Sequence, residues 1–249
     1  MAAKYLRTSD LARAAGIHPN TVRQYGNWGL LPPVERSPSG YRMFPQQHLA
    51  CLLLARTIYA AQYPGRQLRA SGNAIIQCAV TGDWVGAMAK AQEYLISVKT
   101  ELALANQAAG LLEDWAQRMV SDAGEERLTT KQVSMLLGVS LDAMRNWERN
   151  GLISVPRNSY NNYRLFGKRE IERLQFIRML SHAGYSHMAI LRMFMALDGG
   201  DTHNLKKILD TPREDEDIFS AADHWLTTLH EQEKLAERVI QMVETQISG

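Results

Sequence analysis

Arg23 and Arg145 are the residues best suited to grip nucleic acid. The wing pairs Tyr41-Arg42 and Tyr163-Arg164 are the next best. A guanidinium presents a rigid fork of donors that fits guanine's major-groove edge or a phosphate. A tyrosine hydroxyl beside an arginine suits a phosphate oxygen and would fix register on a duplex. Other polar side chains accompany each arginine: His18, Asn20, Thr21 and Gln24 in one place, Ser140, Asp142, Asn146 and Arg149 in the other. Side chains of this kind can read base edges. Tyr25 and Trp147 combine a ring for packing with a polar tip that can reach phosphate. Lys168 and Arg169 suit a backbone phosphate contact.

These two constellations stand 122 residues apart, and much of the sequence around them repeats at the same offset. Leu6, Thr8, Gly16, Arg23, Gly29, Leu30, Ser37, Tyr41, Arg42 and Phe44 recur as Leu128, Thr130, Gly138, Arg145, Gly151, Leu152, Ser159, Tyr163, Arg164 and Phe166. Leu11 with Val133, Ile17 with Val139, Tyr25 with Trp147, Leu31 with Ile153 and Met43 with Leu165 are conservative pairs. Self-similarity at one fixed offset predicts one architecture built twice.

The elements that must position these groups read as follows. A helix from Ser9 to Ala15, capped by Ser9 or Thr8, turns at Gly16. A second helix starts near His18-Pro19-Asn20 and ends at Gly29, a left-handed cap. Two short helices joined by a glycine turn form a helix-turn-helix, with the second helix as reader. Leu31 to Phe44 mixes Pro32, Pro33, Pro38 and Gly40 with β-formers and predicts a two-stranded wing. Helices follow at Gln46–Gln62 and from about Arg66. In the second copy Thr129 or Thr130 caps a helix through Leu137, and Gly138 turns. The reader runs from Ser140 to Asn150, the wing from Ile153 to Phe166. Helices follow at Lys168–His182 and Ser186–Leu197, with Tyr63-Pro64 and Tyr185-Ser186 as matching turns.

A longer helix follows each copy. Leu95, Val98, Leu102, Ala105, Ala109, Leu112, Ala116 and Met119 are spaced by threes and fours, a coiled-coil seam. Trp225, Leu229, Ala236, Val239 and Val243 form a second seam, broken by Gln232. Neither stripe can be buried alone, so the two helices are expected to pair antiparallel. Pairing with another chain is the alternative. The expected fold is mainly α: two winged helix-turn-helix domains, each followed by a long helix, the long helices forming an antiparallel coiled coil. The expected domains are 1–78, the first DNA-binding domain; 79–122, a linker and the first long helix; 123–200, the second DNA-binding domain; and 201–249, an acidic linker and the second long helix. The acidic run Asp210 to Asp217 has no counterpart in the first half and reads as a solvated loop.

Charge follows the repeat. Residues 1–69 carry +7, 70–126 carry −5, 127–192 carry +7 and 193–249 carry −7, within a net charge of only +2. Basic modules with acidic distal parts suit a duplex-facing surface. The apolar fraction is 45% and the charged fraction 22%, as in a soluble globular protein. No run approaches ~18 apolar residues. Met1-Ala2-Ala3-Lys4 leads into a polar segment without a signal peptide's apolar centre, so a cytoplasmic location is expected. Two cysteines, Cys51 and Cys78, make no disulfide framework, and Cys51 sits in an apolar run as core. The seven histidines have no ligand spacing. No metal or cofactor is expected. Without a nucleophile–base pair, phosphate loop or ligand cluster, an enzyme is not expected either. Trp28 and Trp115 read as core or seam.

Thr21-Val-Arg-Gln-Tyr-Gly-Asn-Trp-Gly-Leu-Leu31, followed by Gly40-Tyr-Arg-Met-Phe44, resembles the signature of MerR-family transcription regulators. The second copy matches through Arg145, Trp147, Glu148, Arg149, Gly151, Leu152 and Asn162-Tyr-Arg-Leu-Phe166. Gly26 stands where the family has Glu, and Ala143-Met144 where it has Thr-Ile. The family pairs one such domain per chain through an antiparallel coiled coil. The resemblance therefore implies a covalent pseudo-dimer that needs no second chain. It also implies double-stranded promoter DNA as partner, with RNA polymerase holoenzyme responding to a bent and untwisted spacer, in a bacterial, nucleoid-associated setting. The family's arginine at the place of Arg23 and Arg145 contacts DNA. An architectural or recombination-related DNA-bending protein is the alternative. A small-molecule-responsive regulator, with a site near Trp84, Tyr94 and Trp225, is a further one.

Overall fold

The computed structural model describes residues 5–60, 66–118, 127–212 and 221–248. The expected Tyr63-Pro64 turn, Met119 of the first seam and most of the acidic run lie outside them. The described chain is mainly helical, and by contacts it divides into two units. One is Met1–Thr100 with Leu229–Gly249, the other Glu101–Thr228. Among the described residues no helix is long and apolar enough to cross a membrane.

In the first unit, α1 (Thr8–Ala15) and α2 (Pro19–Asn27) form the helix-turn-helix. The cap of α1 is Arg7, one residue before the expected Thr8 or Ser9. The Asp10 carboxylate accepts the Arg7 backbone N–H at 3.0 Å, which draws the helix start back. Gly16 takes φ +60° at the turn, a conformation that costs a side-chain-bearing residue more. The wing is a short antiparallel ladder, β1 (Glu35–Arg36) with β2 (Arg42–Met43). An isolated bridge ties Leu6 to Phe44. Helices α3 (Gln46–Tyr59) and α4 (Arg66–Val80) follow, and then α5 (Trp84–Arg118) begins. Leu11, Val22, Phe44, Leu52, Ile58, Ile75 and Ile76 are at most 2% exposed and form one core.

That core continues onto the long helices. Ala87, Ala91, Tyr94 and Val98 of α5 are buried in one cluster with Ala236, Val239 and Val243 of α11 (Trp225–Ser248). Gln232, expected as a break in the seam, is 1% exposed and accepts the Tyr94 hydroxyl proton. A buried amide is tolerated because it has that partner. Lys99 and Glu233 meet at 3.8 Å on the rim.

The second unit repeats the plan with α6 (Thr130–Leu137), α7 (Leu141–Arg149), α8 (Lys168–His182) and α9 (His187–Asp198). Thr129 caps α6, its N–H donating to Gln132 Oε1 at 2.8 Å. Ser186 caps α9 through Ala189 N–H at 3.0 Å. Its core gathers Val133, Leu152, Leu174, Ile177, Leu180, Ile190, Met193 and Phe194, all fully buried. The wing is thinner here: an isolated bridge, Arg157 with Arg164, takes the place of the ladder. Ala105, Ala109, Leu112 and Ala116 of α5 are buried. Trp115 stacks 4.5 Å from Phe176 and donates to Glu172 at 3.1 Å.

The tail of this unit departs from expectation. Residues expected as linker form α10 (Leu205–Asp210), with Leu205 and Leu209 fully buried. Asp210, expected as the start of a solvated loop, accepts the backbone N–H groups of Leu226 and Thr227 at 2.8 and 3.2 Å. A carboxylate at a helix start satisfies donors that have no partner within the helix. Arg192 is 3% exposed and donates to the carbonyls of Ile208, Leu209 and Asp223. One buried guanidinium thus holds α10 and the Ala221–His224 turn to α9.

Candidate nucleic-acid interface

The first reader, α2, is anchored by Val22, which is fully buried. His18 caps it, Nδ1 accepting Asn20 N–H at 3.2 Å. Asn20, Arg23 and Gln24 are exposed, as is His18, while Thr21 and Tyr25 are half-buried. The Arg23 guanidinium donates to Asn20 Oδ1 at 2.6 Å, across one helical turn. Trp28, expected in core or seam, is 64% exposed and lies 5.9 Å from the Tyr25 ring. It falls on the helix C-cap, where the chain turns away from the core.

In the first wing, Arg36 donates to Gly40 O at 3.1 Å and Tyr41 N–H to Ser37 Oγ at 3.1 Å. These bonds brace a tight loop whose tip carries Tyr41, 72% exposed. Arg42 is half-buried and makes no ion pair among the described residues.

The second reader, α7, is capped by Ser140 Oγ, which accepts Ala143 N–H at 3.1 Å. Met144 and Trp147 are buried and anchor it; Trp147 is core. Asp142, Arg145, Asn146 and Arg149 are exposed. Arg145 donates to Asp142 Oδ1 at 3.2 Å. In the wing, Tyr163 is 69% exposed, and Asn162 holds φ +59° where the first wing has Gly40. Arg164 is gripped: its Nε donates to both oxygens of Glu148, at 2.8 and 3.0 Å. Arg157 approaches the same carboxylate at 3.9 Å. Lys168 lies 4.0 Å from Glu172 and Arg169 3.9 Å from Asp198.

The structure therefore places Asn20, Arg23, Gln24, Tyr41 and Arg42 on the reader and wing of one module. It places Asp142, Arg145, Asn146, Arg149, Tyr163 and Arg164 on those of the other. Two features were not anticipated. Arg178 donates to the Leu137 carbonyl at the end of α6. Its counterpart Arg56 stands 3.2 Å from where a Cβ on Gly16 would be. Both lie at the common 122-residue offset, but inside apolar helices where attention goes to packing. The other is the Glu148–Arg164 grip, which joins positions 16 residues apart.

Cys51 is 1% exposed and donates through Sγ to Ala79 O at 3.4 Å; burial pushes its thiol up to about 11. Among the described residues no group of three His, Cys, Asp or Glu side chains could hold a metal ion.

Two basic helix-turn-helix modules with wings, one in each unit, define a winged-helix protein. Residues 7–44 match the family described as "MerR family regulatory protein", and residues 128–197 match "MerR HTH family regulatory protein". The chain thus carries, in tandem, two segments that match models of the MerR family. It is 37% identical over 70 residues to the HTH-type transcriptional regulator CueR of Escherichia coli O157:H7, covering 28% of this chain and 50% of that one. It is 31% identical over 71 residues to a probable heavy metal-dependent transcriptional regulator of Haemophilus influenzae, covering 28% and 56%. A mercuric resistance operon regulatory protein of Bacillus cereus is 44% identical over 41 residues, covering 16% and 31%. The chain spans about half the length of the first two relatives. No solved structure matches it.

Proposed function

We propose that the chain is a sequence-specific duplex-DNA-binding transcription regulator that uses both winged modules of one polypeptide. One observation carries this: each module exposes an arginine on its reader, Arg23 or Arg145, and a tyrosine on its wing, Tyr41 or Tyr163. Two of the matched relatives bear the names of transcriptional regulators, which supports the same role. In this proposal α5 and α11 pair as the coiled coil of a single-chain pseudo-dimer. The four segments 1–78, 79–122, 123–200 and 201–249 are its working parts. The target is promoter DNA, and the output is a bent or untwisted spacer presented to RNA polymerase. Such deformation costs a few kcal/mol, roughly the scale that protein contacts repay.

Sedimentation of the protein on its selected duplex tests the stoichiometry. One chain per site, with both readers protecting DNA in a footprint, is the expected result. Two chains per site with four occupied readers would defeat the pseudo-dimer. The exposed reader residues differ between modules, with Asn20 against Asp142 and Gln24 against Asn146. The preferred operator is accordingly an imperfect palindrome, bound in one orientation. Selection from random duplexes that returned a perfect palindrome above every asymmetric site would overturn that expectation.

A further inference from the structure

The two modules carry the same net charge, +7 over residues 1–69 and over 127–192. They do not offer it equally. In the first, Arg23 is held by a neutral amide, Asn20, and Arg42 is without an ion pair among the described residues. In the second, the corresponding Arg145 is held by a carboxylate, Asp142, and Arg164 by Glu148. The position of Glu148 is occupied in the first module by Gly26, which has no side chain to offer.

The Glu148–Arg164 pair is the weightier of the two. Its side chains are 24% and 31% exposed, and Nε reaches both carboxylate oxygens. Arg145 and Asp142 are 62% and 91% exposed, where water screens most of the attraction. Lys168 and Arg169 add two looser pairs of the same kind. Four cationic side chains of the second module that suit a phosphate thus already lie against carboxylates. A guanidinium already neutralised releases less of the counterion atmosphere when it meets DNA.

Resting on the DNA-binding role above, we propose that Glu148 and, more weakly, Asp142 act as internal phosphate substitutes that set an unequal division of labour. The first module is the electrostatic anchor. The second keeps its carboxylate partners, and draws its hold from base contacts instead of charge. Glu148 is in this sense a positioning residue that acts through Arg164.

The test uses the full chain on a mixed-sequence duplex long enough to span two successive major grooves, with affinity followed against salt. Each phosphate contact contributes about 0.9 to the log–log slope. Arg42→Ala is expected to flatten the slope by about that amount, and Arg164→Ala by less than half of it. Glu148→Gln is expected to steepen the slope and to make Arg164→Ala cost as much as Arg42→Ala. Equal flattening by Arg42→Ala and Arg164→Ala would overturn the proposal. So would a Glu148→Gln chain that melts as the parent does and keeps the parent's slope. If Glu148→Gln does not fold, Asp142→Asn with Arg145→Ala asks the same question at the reader. A parent chain that shows no salt-dependent binding would remove the DNA-binding role itself, a result distinct from all of these.

Discussion

The first reader and wing and the second differ most where they look alike in sequence. Tyr41-Arg42 and Tyr163-Arg164 are identical pairs, yet Arg42 is unpaired among the described residues and Arg164 is clamped by Glu148. The first wing is a two-residue ladder and the second a single bridge. Anchoring differs too. Val22 alone is buried in α2, whereas α7 buries Met144 and Trp147. The same motif thus serves two physical regimes: a lightly anchored, openly charged reader and a deeply anchored, internally neutralised one. Identity of type does not confer identity of availability, because availability depends on the neighbour supplied by a different stretch of chain.

The largest expected effect lies in the anchoring difference. Trp147→Ala should destabilise the second unit by about 3–5 kcal/mol, the cost of emptying a buried aromatic site. Tyr25→Ala should cost the first unit clearly less, since Tyr25 is only half-buried. Thermal melts of both variants check this, and equal losses would break the contrast.

Next come the arginines on the helix-turn-helix turn. Arg178→Ala removes a charged donor from the end of α6 and should cost about 1–2 kcal/mol in denaturant melts. Arg56→Ala should cost a similar amount if the two turns are equivalent. A loss in only one would show that the turns are braced differently.

Gly26→Glu transplants the second module's carboxylate into the first. A Cβ at Gly26 meets nothing within 4 Å, so the side chain has room. The helix should gain about 0.5–1 kcal/mol by losing a glycine. DNA binding should lose salt dependence as Arg42 acquires a partner. A more stable chain with an unchanged salt slope would mean that Arg42 does not reach the new carboxylate.

The smallest effect is a pH dependence that arises from His48 in the first unit. His48 is 2% exposed, its Nε2 lies 3.2 Å from Pro32 O, and its Nδ1 has no partner. Burial holds its pKa below the ordinary 6.5, against the opposing pull of the Pro33, Pro32 and Pro45 backbone. A folded-state pKa below the unfolded one means that stability is complete above pH 6.5 and falls as pH drops through the folded pKa. His48→Gln should flatten this part of the Tm-against-pH profile, while the second unit's melt is unmoved.

Much of this plan is legible in the residues. Glycine turns, caps and apolar spacing place α1, α2, α6, α7 and α8 within a residue or two. The buried stripe on α5 follows the three-and-four spacing. Local signals fail where a distant partner decides. Trp28 looks like core by type but sits on an open cap. Asp210 looks like part of an acidic loop but caps α11, 16 residues on. Charge counting finds two equal basic modules, because a count does not say which carboxylate lies against which arginine. Glu148 was visible as a residue; its hold on Arg164 exists only once wing and reader fold together.

The first unit is built from two stretches far apart in sequence: Met1–Thr100 needs Leu229–Gly249 to cover Ala87, Ala91, Tyr94 and Val98. During synthesis the amino-terminal module therefore emerges long before the segment that completes its core. A ribosome adding about 5–20 residues per second leaves that interval at several seconds or more. Over that time the apolar stripe of α5 has no lid from its own unit. Leu229–Gly249 consequently acts as a late-arriving stabiliser of the first module, and a product terminated before it would carry a complete reader on an unfinished support.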